Sequence, residues 1–240
     1  MKKVLILTYF FPPANFAGSY RLYSFAKSLH KFGYYPIIIT RQSIDGASSL
    51  TEMAKDCGTE KIIEQHDGYE VHYLPYKSNL RDRIYAKYGE KKFSFLRKIL
   101  SFIEILLQSL TVRVIPYSNI YYYAENIIKK QKDISFILCS GKPFQLFSFG
   151  YLLSKKFAIR WIADYRDEWN SRYKYNNFKI SVKEKFFYFF ETHLEKKWTG
   201  NASLITTVTE HWSKNISSFI DKKASKAMAY ITSPITIVKS

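Results

Sequence analysis

The densest polar cluster in the sequence is Asp164-Tyr-Arg-Asp-Glu-Trp169. Carboxylates packed this closely can orient a sugar hydroxyl or take its proton, and a guanidinium among them can hold an anion in a fork. Asp164 and Asp167 are the candidate catalytic carboxylates, and Arg166 is the candidate anion ligand. The same residue types can also form a structural Asp–Arg pair that braces the end of a strand. A second candidate is Ala17-Gly18-Ser19, just ahead of an amphipathic segment. Gly18 would let a ligand approach the backbone, and free N–H groups at a helix start favour a phosphate. The competing reading makes Gly18 part of a tight turn and Ser19 a helix cap. The dinucleotide fingerprint G-x-G-x-x-G and the P-loop G-x-x-x-x-G-K-[ST] are both missing. Gly141-Lys142-Pro143 has neither the glycine spacing nor the hydroxyl residue of a P-loop, which argues against a dehydrogenase or a P-loop NTPase. Cys57 and Cys139 are the only cysteines, and the five histidines stand alone at 30, 66, 72, 193 and 211. That inventory implies no metal site and no disulfide scaffold, and it fits a reducing cytoplasm.

These residues need elements to position them. Val4–Thr8 is a continuous apolar run, the pattern of a strand buried on both faces. The loop 9–19 follows, and then Leu22, Phe25, Ala26 and Leu29 recur at helical spacing as far as Gly33. Pro36–Thr40 is a second buried strand, so the first 40 residues form a βαβ unit and predict a parallel sheet. Further strands are predicted at 70–74, 135–139, 159–164 and 203–208. Helices are predicted within 93–115 and at 120–130, 144–155, 182–198 and 210–219. Residues 41–68 read as loop, and 77–92 as a mobile basic loop. The alternation predicts an α/β fold with a doubly wound parallel sheet. The Asp164 cluster directly follows a strand, at the sheet edge where ligands of such folds bind.

The chain has 240 residues, of which 47% are hydrophobic, so it can bury a sizeable core. Its formal net charge of +17 favours acidic partners: nucleic acid, phosphorylated ligands or an anionic membrane surface. Nucleic acid ranks last, because the basic residues are scattered and no nucleic-acid motif appears. Met1-Lys2-Lys3 before an apolar run imitates a signal peptide, but Pro12-Pro13 follows at once and the run reads better as a buried strand.

Several motifs, taken in order, resemble family 4 glycosyltransferases, which are retaining GT-B enzymes that use nucleotide sugars. They are Val4–Thr8, Phe11-Pro12-Pro13, Gly18 and Arg21; then Ser140-Gly-Lys-Pro-Phe144; then Ile162–Trp169; and finally Glu191, Ala202 and Ile205–Glu210. The resemblance implies a Rossmann-like GT-B half over residues 1–220. It implies that Gly18, Ser19 and Arg21 face the donor diphosphate, and that Ser140, Gly141, Lys142, Arg166 and Trp169 line the acceptor side of a cleft. Tyr165, Glu168 and the single glycine of the first loop depart from the family pattern. Residues 221–240 resemble nothing in the family, so the second GT-B domain is expected to be missing and the chain alone weakly active or inactive. The implied partners are a nucleotide sugar and a glycan or lipid-linked glycan acceptor of cell-surface polysaccharide synthesis, with no cofactor. The alternative is a non-catalytic basic module that binds a phosphorylated glycan, a lipid or a separately encoded half.

Phe93–Leu110 is rich in Phe, Ile and Leu, with Lys91, Lys92, Arg97 and Lys98 near its start. A basic helix of this kind can lie in a membrane interface through Phe93, Phe95, Arg97, Lys98 and Phe102, or it can line a core or cleft. The first reading puts the protein at the inner membrane face. For the similar segment 182–198, burial is the preferred reading.

Overall fold

The computed structural model describes residues 1–170, 182–220 and 228–230. Eight strands form one sheet: β1 (Lys2–Leu7), β2 (Tyr34–Arg41), β3 (Ile62–His66), β4 (Tyr69–Leu74), β5 (Ile134–Gly141), β6 (Arg160–Tyr165), β7 (Leu204–Thr207) and β8 (Met228–Tyr230). Their order is β3-β4-β2-β1-β5-β6-β7-β8, and every pair is parallel except β3–β4. The predicted doubly wound α/β sheet is present.

The helices are α1 (Ala17–Leu29), α2 (Leu50–Met53), α3 (Leu80–Tyr88), α4 (Ser94–Gln108), α5 (Ser118–Lys130), α6 (Leu146–Phe157), α7 (Val182–Thr199) and α8 (Glu210–Phe219). Strand periodicity explains the layering. Leu5, Leu7, Ile37 and Ile39 point to one face and pack with Ile120 and Ala124 of α5 and Phe147 and Leu153 of α6. Val4, Ile6 and Ile38 point to the other and pack with Leu22 and Ala26 of α1. The central strands β1 and β2 are thus apolar at successive positions over Val4–Leu7 and Ile37–Ile39, as a sheet covered on both faces requires.

Two segments expected to be loop are ordered elements. Residues 77–92 contain α3, whose start is capped when Asn79 accepts from the Asp82 N–H. Apolar periodicity is weak there because Asp82 and Arg81 face inward. Residues 62–66 form β3, an edge strand exposed along its whole length and joined to β4 across Asp67-Gly68. Of the tail expected over 221–240, β8 adds a strand parallel to β7, and the remainder lies outside the described residues.

The chain runs β1, β2, β4 toward one edge and then returns to place β5 on the opposite side of β1. The carboxyl ends of β1 and β5 therefore diverge at a topological switch point, where loops lead away on opposite faces and leave a crevice.

Candidate functional site

The crevice is built on one row of side chains. In the β5–β6–β7 register Ser140 lies beside Asp164, and Asp164 beside Thr206. Adjacent in-register residues share a face, here the face covered by α1. Ser140 Oγ donates to Asp164 Oδ2 at 2.8 Å, and Thr206 Oγ1 donates to Oδ1 at 2.8 Å. Arg21, reaching down from α1, completes the set with Nη2 at 2.8 Å from Oδ1. The Asp164 side chain is wholly buried and the Arg21 side chain nearly so. The structural reading of the Asp–Arg pair thus describes Asp164: it ties α1 and three strand ends together.

Arg166 lies above this row. Its backbone N–H donates to the Gly141 carbonyl at 3.2 Å, and its Nε donates to the same oxygen at 3.0 Å. Nη2 donates to the Lys142 carbonyl. The guanidinium sits 5.1 Å from the Phe10 ring centroid. It also rests on Gly18, where a Cβ would fall on the guanidinium itself. The glycine therefore serves a close approach, and the group that approaches is Arg166. Burial pulls the Arg166 pKa below the ordinary guanidinium value and Arg21 adds to this, while Asp164 and Asp167 oppose it. The expected cap at Ser19 is not the one observed. Helix α1 starts at Ala17 with Phe16 as its cap residue and no side-chain cap bond, which leaves Ser19 inside the first turn and buried.

The rim is different in kind. Asp167 Oδ2 is 3.5 Å from Lys142 Nζ, and both side chains are about half exposed, at 49% and 50%. Trp169 stacks on Phe144, with centroids 4.8 Å apart and planes 6° from parallel, and on Trp198 at 5.9 Å. Behind it, Glu195 of α7 accepts from Tyr165 Oη at 3.0 Å and from the backbone and side-chain nitrogens of Asn170 at 3.1 and 2.9 Å. Burial pushes the Glu195 carboxyl up to about 7, against the lowering effect of those donors.

Two cavities open beside the Lys142–Gln145 turn. One, of about 300 Å³, is walled by Phe144, Trp169, Trp198, Ile105 and Gln108. The other, of about 360 Å³, is walled by Tyr9, Phe10, Tyr76, Arg81, Arg97 and Glu104. In the wall of the second, Arg81 bridges Glu104 and Asp82 at 3.0 Å each, and Tyr76 donates to Asp82. Burial raises the pKa of Glu104, and the Arg81 charge opposes that rise.

Helix α4 supplies both cavities and faces out as well. Phe93 and Phe95 are exposed, as is Lys98. Arg97 instead turns inward over the Tyr85 ring at 4.8 Å, and Phe102 packs edge-on against Phe187 of α7 at 4.7 Å. Those two of the five expected membrane residues are therefore engaged within the protein. In α7 Leu194, Glu195 and Trp198 are buried, whereas Phe189 is exposed.

Sequence reasoning missed Thr206, Phe144, Trp198, Glu195 and the Arg81–Glu104 pair. Strand parity was the available signal for Thr206. Among the described residues, no group of three or more His, Cys, Asp or Glu is placed to hold a metal ion.

The fold is similar to that of solved glycosyltransferases. Sucrose-phosphate synthase from Thermosynechococcus elongatus superimposes with a TM-score of 0.55 at 12% identity, over 95% of this chain and 47% of that one. UGT89C1 from Arabidopsis thaliana, complexed with UDP, gives 0.55 at 10% identity over 99% and 50%. The catalytic domain of starch synthase IV from Arabidopsis thaliana, bound to ADP and acarbose, gives 0.52 at 12% identity over 96% and 51%. No protein-family model matches the chain, and no curated protein matches it. The architecture is thus the Rossmann-like half found in GT-B glycosyltransferases. The chain spans about half the length of the solved chains it matches.

Proposed function

We propose that residues 1–220 form the acceptor-side half of a retaining glycosyltransferase that resembles family 4 and transfers a hexose from a nucleotide sugar to a glycan. The observation that carries this reading is the contrast between two carboxylates three residues apart. Asp164 is buried and fully engaged, whereas Asp167 stands half exposed at the rim beside Lys142 and the Trp169 stack. Asp167 is the group free to meet an acceptor hydroxyl, and the partly exposed Trp169, held in its aromatic stack, would offer its ring edge to a sugar. Asp164 acts indirectly, by holding Arg21 and the strand ends. The donor diphosphate would lie near Gly18 and the Arg166 guanidinium, where the start of α1 adds its dipole. A second, donor-binding half closing over this edge would bring donor and acceptor into reacting geometry. The acceptor is a lipid-linked glycan of cell-surface polysaccharide synthesis, met at the inner membrane face.

Titration of soluble glycan acceptors and nucleotide sugars, followed by tryptophan fluorescence with Trp169→Phe as control, tests the reading. The expected result is an acceptor-dependent change that disappears in Trp169→Phe, with affinity lost in Asp167→Ala. The Asp167 pair is solvent-exposed, so Asp167→Ala should cost less than about 1 kcal/mol of stability. Glycan binding unaffected by both substitutions would sink the assignment.

A further inference from the structure

Helix α4 is amphipathic in the inverse sense. Its buried residues are polar: Glu104 is held by Arg81 and by Asn79 Nδ2 at 3.1 Å, and Gln108 donates to Ser148 at 3.3 Å. One line of its large apolar residues faces out, while Phe102 and Ile105 turn inward. Phe95 is 72% exposed, Leu96, Ile99, Ile103 and Leu107 are exposed too, and Leu110 just beyond the helix is 82% exposed. Phe95, Ile99, Ile103 and Leu107 follow one another at intervals of four, so they form one continuous stripe. A contiguous apolar stripe of this length on a protein surface marks a contact surface.

The charges around the stripe identify its occupant. Between residues 83 and 110 the exposed cations are Arg83, Lys87, Lys91, Lys92 and Lys98, and Glu90 is the only exposed acid. Tyr88 and Phe93 pack edge-on, 4.9 Å apart, at the junction of the cationic and apolar zones. Apolar stripe, aromatic border and lysine flank are the three layers that match acyl chains, the interfacial zone and anionic headgroups. A helix of 15 residues is about 22 Å long, too short to span a bilayer but long enough to lie in its surface. Among the described residues, no helix is long and apolar enough to cross a membrane.

We propose that α4, with Phe93 and Leu110 at its ends, is a docking helix whose outer face lies in an anionic lipid leaflet. This rests on the membrane placement proposed above and specifies its element, orientation and lipid charge. The inward face of the same helix walls both cavities through Arg97, Glu104, Ile105 and Gln108. The seated helix therefore holds the candidate cleft about one helix diameter, roughly 10 Å, from the headgroups, within reach of a sugar carried on a lipid.

Co-sedimentation of the 240-residue chain with phosphatidylglycerol–phosphatidylcholine vesicles, against phosphatidylcholine alone, tests the proposal. Binding is expected to the anionic vesicles and to weaken at about 0.5 M salt. Replacing Ile99, Ile103 and Leu107 together by Glu should lower the bound fraction about tenfold or more, because three buried aliphatic contacts are lost. A second variant with Lys91, Lys92 and Lys98 replaced by Glu should lower binding at low salt and leave the apolar stripe intact. The melting curve and soluble-glycan titration should be unchanged in both, which separates failure of docking from failure of the glycosyltransferase reading. Absence of binding by the natively folded chain would overturn the proposal. So would equal binding by the Ile99/Ile103/Leu107 variant, or a lipid-free dimer that this variant dissolves, which would make the face a protein interface.

Discussion

Asp164 and Asp167 share a residue type and differ in everything around it. Asp164 accepts hydrogen bonds from Arg21, Ser140 and Thr206 in a site closed to water. Removing one partner of such a pair leaves the other charge buried without compensation. Asp164→Asn is therefore expected to lower stability by about 3–5 kcal/mol, measured by urea unfolding. Adding Arg21→Met to that variant should restore part of the loss, because the orphaned guanidinium is gone. Strictly additive losses in the double variant would show that the pair is not coupled. Asp167 has no such role, because water already screens its contact with Lys142.

At the scale of elements, the segment carrying Asp167 and Trp169 is fixed from behind by α7. Glu195 holds Asn170 and Tyr165 from a buried position. Its carboxyl titrates near 7 instead of the ordinary 4.5. Below 4.5 the folded and unfolded chains both carry the proton, and the protonated group contributes in full. Between 4.5 and about 7 only the folded chain retains it, so this contribution is lost as pH rises through that window. Glu195→Gln stays neutral throughout. The stability of the native chain relative to this variant should therefore fall from pH 5 to pH 7, and a pH-independent difference would refute the assignment. The seat of α6 is just as specific. A Cβ on Gly150 would lie 2.9 Å from Cys139 Sγ and closer still to the Trp161 ring. Gly150→Ala should cost about 1–3 kcal/mol by overpacking, despite the better helix propensity of alanine, as thermal melting would show.

For the whole molecule, charge and topology matter most. A chain with net charge +17 repels itself when folded. The melting midpoint should therefore rise as salt increases from about 10 to 150 mM, and a fall would mean that attractive surface pairs dominate. The strand order places the ends of β1, β5 and β6 together, so segments near residues 10, 141 and 166 meet at one edge.

The sheet, its parallel sense and the edge bearing the Asp164 cluster were legible in the sequence, because a buried strand needs a continuous apolar run and an amphipathic helix a period near 3.6. The exposed strand β3 was not, since Ile62 and Ile63 lie on an uncovered edge with no burial pattern, although Asp67-Gly68 marked its turn. Helix α3 was hidden because its inward residues are Arg81 and Asp82, satisfied by Glu104 and Tyr76 from elsewhere in the chain. The amphipathy of α4 was visible, but not its sense: only packing against Arg81 and Ser148 turns its polar face inward. Candidate residues could be named from their types, but not sorted. Asp164 became a brace because Arg21 and Thr206, 143 and 42 residues away in sequence, converge on it. Local sequence carries periodicity and residue chemistry. Which polar group is buried, and which is left to meet a ligand, depends on distant partners that only the folded chain brings together.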